Sequence, residues 1–485
     1  MHSNLLPRLI SKMQRNLIAL SMIGLSLSAC KVGPNYVGPS ETALNNFHNA
    51  VAITANNDTQ AAPIDVWWTG FKDPELTKLV QRALEQNLDL KASLARVKQA
   101  RAIARASRAE LFPTADANAN AIPIRQSLES PIGAIGHNLP GFNRNATFYD
   151  VYASASWEID LFGGLTRGKE SAKAEAEAAE ASHLGVRISI AAEVADAYFQ
   201  IRGYQARLAI ARSQVETDRH LLNLVKLRKT YGAASDREVT QAEALMWNAR
   251  AAIPPLLIGL ESQFNRLDVL IGAQAGTYAV ELAKPALIPA IPAISVTQSA
   301  SDLFHRRPDI IAAERKLAAS NARIGAAMSD YYPKISLSGL LGFQSMNLSH
   351  LFNAATFQPA AVGGLRWRLF DFGKIDAEVD QAKGANAEAF ALYRQSVLRA
   401  TEDVEDAFMS LAQNKVQADE VTKEETALVR AYYLAQENYK AGAVSLTDVL
   451  DANRELLAAR DKLARTRADT ARAAVASFRA LGGGW

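Results

Sequence analysis

The second half of this chain repeats its first, and that duplication limits the possible folds more than any other feature. Trp157 and Trp367, Phe162-Gly163 and Phe372-Gly373, Val194 and Val404, Ala197 and Ala407, Gly232 and Gly442, and Val239 and Val449 all stand 210 positions apart. Pro113 and Pro333 stand 220 apart, so about ten extra residues sit in the first copy between Pro113 and Trp157, where a strand-connecting loop tolerates insertion. One supersecondary unit occurs twice: residues 73–283 and 299–481, joined by a Pro-rich linker at 284–298 and followed by a short tail at 482–485.

Within the first copy, Leu76, Leu79, Val80, Ala83 and Leu84 fall at i, i+3, i+4, i+7 and i+8. Helical text continues to Leu111 without Gly or Pro, which predicts one long amphipathic helix from Pro74. The period then changes to two. Thr114 to Ala121 alternates polar and small apolar residues, while Tyr149, Val151, Ala153, Ala155, Trp157 and Ile159 face away from Asp150, Tyr152, Ser154, Ser156, Glu158 and Asp160. These are two strands, at about 113–160, each with one apolar face. Residues 169–231 contain no Pro, and Val194, Ile201, Leu208, Val215 and Leu222 recur every seven residues as in a coiled-coil seam. A continuous helix there reaches roughly 95 Å. A turn at Tyr231–Ser235 leads to a helical run broken near Pro254-Pro255. The second copy gives its own strand pair, at about 333–370, in which Ile335, Leu337, Gly339, Leu341 and Phe343 share one side.

The N-terminus reads as a leader. Arg8, Lys12 and Arg15 precede the apolar stretch Leu17–Leu27, which is too short to span a bilayer and ends in Leu27-Ser28-Ala29-Cys30. That ending resembles the bacterial lipobox, which implies a signal peptide over 1–29, a covalent lipid on Cys30 and an extended anchored segment over 30–72. Cys30 is the single cysteine of the chain, so an internal disulfide or a Cys-based zinc cluster is excluded. In lipoproteins an Asp after the Cys marks inner-membrane retention; Lys31 stands there instead, which implies forwarding to the outer membrane. Removing residues 1–29 takes three positive charges from 53 Lys+Arg against 50 Asp+Glu, leaving a balanced chain with no basic field for nucleic acid.

Four strands are too few to close a membrane barrel, yet their alternation is that of a transmembrane barrel. An open sheet in lipid leaves backbone edges unpaired, so several chains must pool their strands. The expected class is an internally duplicated α+β membrane protein. The competing architecture is a soluble coiled-coil bundle with a small sheet cap, and the competing function is a lipid-anchored structural protein without a pore. Enzyme signals are absent or broken. Gly163-Gly164-Leu165-Thr166-Arg167-Gly168-Lys169 has phosphate-loop spacing, but Glu170 replaces the Ser or Thr that holds magnesium. The seven His residues show no ligand spacing, so no metal site is expected, and no nucleophile elbow occurs.

Several motifs converge on one family. Val32-Gly33-Pro34-Asn35-Tyr36 after Cys30, Trp67-Trp68 with Phe71-Lys72-Asp73-Pro74-Glu75-Leu76, Arg307-Pro308-Asp309-Ile310, and Tyr439-Lys440-Ala441-Gly442 leading to Asp448-Val449-Leu450-Asp451-Ala452 make the chain resemble the TolC-type outer-membrane efflux channels, in their acylated NodT-like branch. The resemblance implies a homotrimer with a twelve-stranded β-barrel in the outer membrane and a long α-helical tunnel in the periplasm. It implies docking to a periplasmic adaptor and an inner-membrane pump, passive export, no catalysis and no cofactor beyond the lipid on Cys30. Asp448 and Asp451 lie three apart on a helix and face one side, so a trimer gathers six carboxylates. In the family these positions line the periplasmic constriction, and Arg454 matches a position that holds it closed. Without the family, Asp448 reads equally as a solvated residue near a helix N-terminus. The turns at Gly232, Ala233 and Ser235, and at Gly442, Ala443, Val444 and Ser445, are the expected adaptor-contacting tips, and both glycines also read as plain helix stops. Asp236, Arg237 and Glu238 are the less similar first-copy counterparts. Cargo is not legible.

Overall fold

The computed structural model describes residues 31–39, 47–50, 62–294 and 302–485. The expected signal peptide and Cys30 lie outside these residues, as do parts of the 30–72 segment and of the linker.

The first copy runs α1 (Pro74–Gln86), α2 (Leu88–Ala109), β1 (Thr114–Arg125), α3 (Pro131–Gly136), β2 (Asn145–Ile159), α4 (Gly164–Thr230), α5 (Asp236–Ala251) and α6 (Ile253–Ile271). The second runs α7 (Leu303–Arg306), α8 (Pro308–Met328), β3 (Lys334–Ser345), β4 (Phe357–Arg366), α9 (Lys374–Lys440) and α10 (Leu446–Ala480). The inserted residues of the first copy are the β1–β2 connection, 126–144, against 346–356 in the second.

The expected single helix from Pro74 to Leu111 is two helices, broken at Asn87. Asn87 has ψ 134° and its amide donates to the Leu270 carbonyl at 2.8 Å, while its Oδ1 accepts from Leu90 N. Arg307, the residue 220 positions on, ends α7 with ψ 112° and donates to the Ala480 carbonyl at 3.2 Å. Pro308 marks the second break in the sequence, whereas Leu88 leaves the first unmarked. The break near Pro254-Pro255 falls at Ala252. Both prolines sit in the first turn of α6, where a missing N–H leaves no bond unmade.

Contact density divides the chain across the duplication, not between its copies. Among the described residues, one unit takes 31–38, 98–177 and 314–391; the other takes 39, 47–50, 62–97, 178–294, 302–313 and 392–485.

The first unit holds an antiparallel sheet in the order β1-β2-β3-β4. Val151 pairs with Ala119 and Phe343, Ala153 with Ala117 and Leu341, and Trp157 with Leu337, so apolar residues meet apolar residues along one face. The opposite face carries Asp116, Asn120, Asp150, Ser154, Ser156 and Ser338, with Asn120 donating to Asp150 at 2.8 Å. Past Tyr149 the alternation weakens, since Ile122 and Phe148 share the polar side. Leu341 is 61% exposed and Leu365 66%, which leaves a wide apolar sheet face unburied by this chain. β1 and β4 are edge strands and carry Pro123 and Pro359, as only edges tolerate. Among the described residues no helix is long and apolar enough to cross a membrane.

The same unit explains the Val32–Tyr36 motif. Arg167, 3% exposed, donates to the carbonyls of Val32 and Gly33 and to Asn35 Oδ1 at 2.9–3.1 Å, and pairs with Glu170. Tyr36 packs on Ala174, Ala318 and Ala319.

In the second unit, Trp67 stacks on Phe478 at 5.5 Å and Phe71 leans on Phe199 at 5.0 Å, so the Trp67–Leu76 motif is an aromatic seat for α4 and α10. Asp73 caps α1 through Oδ1 and accepts from the Tyr198 hydroxyl at 2.5 Å through Oδ2. The predicted seam of Val194, Ile201, Leu208, Val215 and Leu222 is buried throughout.

Candidate functional site

The two turns that end α4 and α9 are built alike. Gly232 has φ 73° and Gly442 φ 77°, a region where a Cβ is penalised. Gly232 N donates to Lys229 O and Ala233 N to Arg228 O; Gly442 N donates to Tyr439 O and Ala443 N to Asn438 O. Each turn thus closes its helix with the paired carbonyl bonds of a Schellman ending.

The next helices begin with the same device. Ser235 Oγ accepts from Glu238 N at 3.3 Å, and Glu238 Oε2 accepts from Ser235 N at 2.7 Å. Ser445 Oγ accepts from Asp448 N at 3.4 Å, and Asp448 Oδ2 accepts from Ser445 N at 2.8 Å. These are reciprocal capping boxes. The Ser445 hydroxyl and backbone N–H hold the Asp448 carboxyl below the usual carboxylate range. Asp448 therefore fulfils the local role that its position near a helix start suggested, and Glu238 is its equivalent in the first copy.

Asp451, one turn further, pairs with Arg454 at 3.3 Å, and both side chains are more than half exposed. Asp448 and Asp451 are exposed together along α10, as their spacing requires. Gly232, Ala233, Ser235, Gly442, Ala443 and Ser445 are exposed, whereas Val444 is half-buried.

An apolar cluster joins the two turns: Leu221, Leu222 and Val225 of α4, Ala242 and Met246 of α5, Tyr439 of α9, and Leu446, Val449 and Leu450 of α10, with Val444 against it. Arg228 bridges them as well, with its guanidinium 2.5 Å from the Tyr439 carbonyl oxygen and 4.3 Å from the ring centre. Arg228 was missed in the sequence because its second-copy counterpart is Asn438, so the duplication gave no signal. Behind the cluster, Gln214, Asp218 and Asn453 form a buried polar trio.

Two backbone donors of the phosphate-like loop are already engaged. Leu165 N and Thr166 N both donate to the Asp160 carboxylate, at 3.0 and 2.7 Å, and in the second copy Asp371 accepts from Gly373 N and Ile375 N. A phosphate is replaced there by the chain's own carboxylate. Among the described residues no cluster of His, Cys, Asp and Glu could hold a metal.

Two paired strands, a very long helix, a glycine turn and a capped helix, all occurring twice, match one family model over residues 79–273 and 300–483, that of the outer membrane efflux proteins. The chain belongs to that family. It is 30% identical over 465 residues to nodulation protein T of Rhizobium leguminosarum bv. trifolii, covering 95% of this chain and 96% of that one. It is 31% identical over 477 residues to the pyoverdine export outer membrane protein OpmQ of Pseudomonas putida, covering 96% and 97%. The solved outer-membrane channel OprN superposes with a TM-score of 0.86 at 33% identity, covering 94% of this chain and all of the other. The protein is accordingly an outer-membrane efflux channel.

Proposed function

We propose that this chain is the exit duct of a tripartite efflux pump, in which three copies pool their sheets into one twelve-stranded barrel and their helices into one tunnel. The observation that carries this is the four-stranded sheet. It has one apolar face left exposed and two strand edges left unpaired by the chain itself, and closure by further copies satisfies both in lipid. A pore-free structural role has no use for a sheet that is wet on one face and apolar on the other.

Asp448, Asp451 and Arg454 form the periplasmic gate in this reading. Their exposure on α10 next to a glycine turn supports it, because three such helices around an axis bring the carboxylates together. The turns Gly232–Ser235 and Gly442–Ser445 dock a periplasmic adaptor, and their small exposed residues allow a partner helix to approach closely. A lipid on Cys30 tethers the chain to the outer membrane. Cargo is selected upstream by the inner-membrane pump. Relatives of nearly equal identity carry such different names as nodulation protein T and pyoverdine export protein, which fits a shared duct.

The direct test is the mass of the detergent-solubilised protein and disulfide crosslinking from Cys placed at Ala233 or Ala443 to a co-expressed adaptor. A trimer that crosslinks at both turns is the expected result; a monomer, or crosslinks elsewhere only, contradicts it.

A further inference from the structure

Asp218 stands where the helix seam calls for an apolar side chain. Counting from Val215 and Leu222, it takes the inner position three residues on, which neighbouring repeats fill with Ala211 and Val225. It is 1% exposed. Asn453 Nδ2 donates to its Oδ1 at 2.7 Å and Gln214 Nε2 donates to the same atom at 2.8 Å, while Oδ2 has no partner. Gln214 also donates to Asn453 Oδ1 at 2.9 Å, so the trio is one connected unit between α4 and α10.

Among the described residues no cation bonds the Asp218 carboxyl. Gln214 faces it from its own helix and Asn453 from α10. Tyr432 stands near it from α9, where the Tyr432 hydroxyl accepts from Gln436. Arg460 is engaged with Glu425, and α5 presents Ala242 and Met246 to the adjoining turn. An ionised carboxylate held by two amides with one bare oxygen is poorly compensated; a protonated one is tolerated. Burial outweighs the two amide hydrogen bonds and pushes the Asp218 carboxyl above the usual range.

The trio is absent from the other copy. The counterparts of Gln214, Asp218 and Asn453 are Glu424, Leu428 and Glu243, and Glu424 pairs with Lys462 at an exposed site. The duplicated packing therefore does not demand it. Its place is specific: Asn453 lies between Asp451 and Arg454 in sequence, on the buried side of the helix that exposes them.

We propose that Asp218 is a proton-dependent positioning residue, which while neutral locks α10 onto α4 through Asn453 and so holds Asp451 and Arg454 in the closed arrangement. The proposal rests on the gate reading above. A group whose acidity is weakened by burial stabilises the packed state below its unperturbed pKa and loses that stabilisation as pH rises through its packed-state value. Raising the pH thus ionises Asp218, draws water to it and releases α10, so the gate opens more readily in alkali.

The test uses the intact trimer in planar bilayers, with wild type beside Asp218→Asn, which keeps the shape and removes the charge. In wild type the open-to-closed ratio is expected to rise about tenfold or more as pH is taken from the acid range into alkali, and in Asp218→Asn it stays at the low-pH value. Hydrogen exchange at residues 451–456, corrected for the intrinsic effect of pH, is a second readout that needs no pore. Protection there falls with rising pH in wild type and not in the variant. Pores with the same pH profile in both proteins, or exchange that does not distinguish them, overturn the latch. Trimers that form no pores while exchange still separates the two proteins overturn the conduit and leave the latch standing.

Discussion

Asn87 and Arg307 are the same residue of the fold in two copies. Each separates a short helix from a long one, and each donates a side-chain hydrogen bond to a carbonyl at the end of the closing helix, Leu270 O for Asn87 and Ala480 O for Arg307. Gly272 and Gly482, with φ 79° and 76°, follow those carbonyls in both cases. Arg307 does more, because it also pairs with Asp309 at 2.7 Å and Asp403 at 2.8 Å, and its side chain is 11% exposed.

Truncating the two should therefore hurt unequally. Arg307→Ala removes a buried guanidinium that bonds two half-exposed carboxylates and the Ala400 and Ala480 carbonyls, and should destabilise by about 2–4 kcal/mol. Asn87→Ala leaves a neutral donor and acceptor unpaired and should lose about 1–3 kcal/mol. Denaturation of the detergent-solubilised protein gives both values, and equal losses would sink the ranking.

The capping boxes predict a pH effect with a definite sign. Ser445 holds the Asp448 carboxyl below its usual range, so the α10 cap is complete above the unperturbed carboxylate pKa and is lost as pH falls through the depressed value. Ser445→Ala keeps the backbone N–H but removes the hydroxyl, so it should raise the Asp448 pKa part of the way to its ordinary range and speed hydrogen exchange in the first turn of α10. Ser235→Ala, in the equivalent cap of α5, should destabilise by about 1 kcal/mol. An unchanged Asp448 titration in Ser445→Ala would contradict the assignment.

Leu341 and Ser338 lie on opposite faces of β3. Leu341→Arg places a charge on the face assigned to lipid and should weaken membrane insertion by about 2–4 kcal/mol if it sits near the bilayer centre. Ser338→Arg faces the lumen, so it should insert normally and change conductance. Equal insertion of both variants would contradict the division into a lipid face and a lumen face, and weaker insertion of Ser338→Arg alone would mean that the faces are assigned the wrong way round.

Much of this architecture was legible because the two copies corroborate each other. The strand faces followed from an alternation that the register reproduces pair by pair, and the α4 seam from a heptad that is buried throughout. The break at Asn87 was not visible in its own surroundings, since an Asn inside helical text looks ordinary. Projecting Pro308 back by 220 positions would have exposed it. The site was legible where the copies agree, as at Gly232 with Gly442. It was obscure where they differ: Arg228, Gln214 and Asp218 face Asn438, Glu424 and Leu428 in the alignment of copies. Contacts between helices far apart in sequence, such as Asp218 with Asn453, leave no local pattern at all.

The most direct test of the central claim is single-channel recording of the purified trimer in planar bilayers, comparing wild type with Asp448→Asn, Asp451→Asn. The double variant keeps side-chain shape and an acceptor for the Ser445 N–H while removing the gathered charge. The account predicts gated, cation-selective pores in wild type, with selectivity and block by divalent cations both reduced in the variant. Well-folded trimers that conduct no current would contradict it.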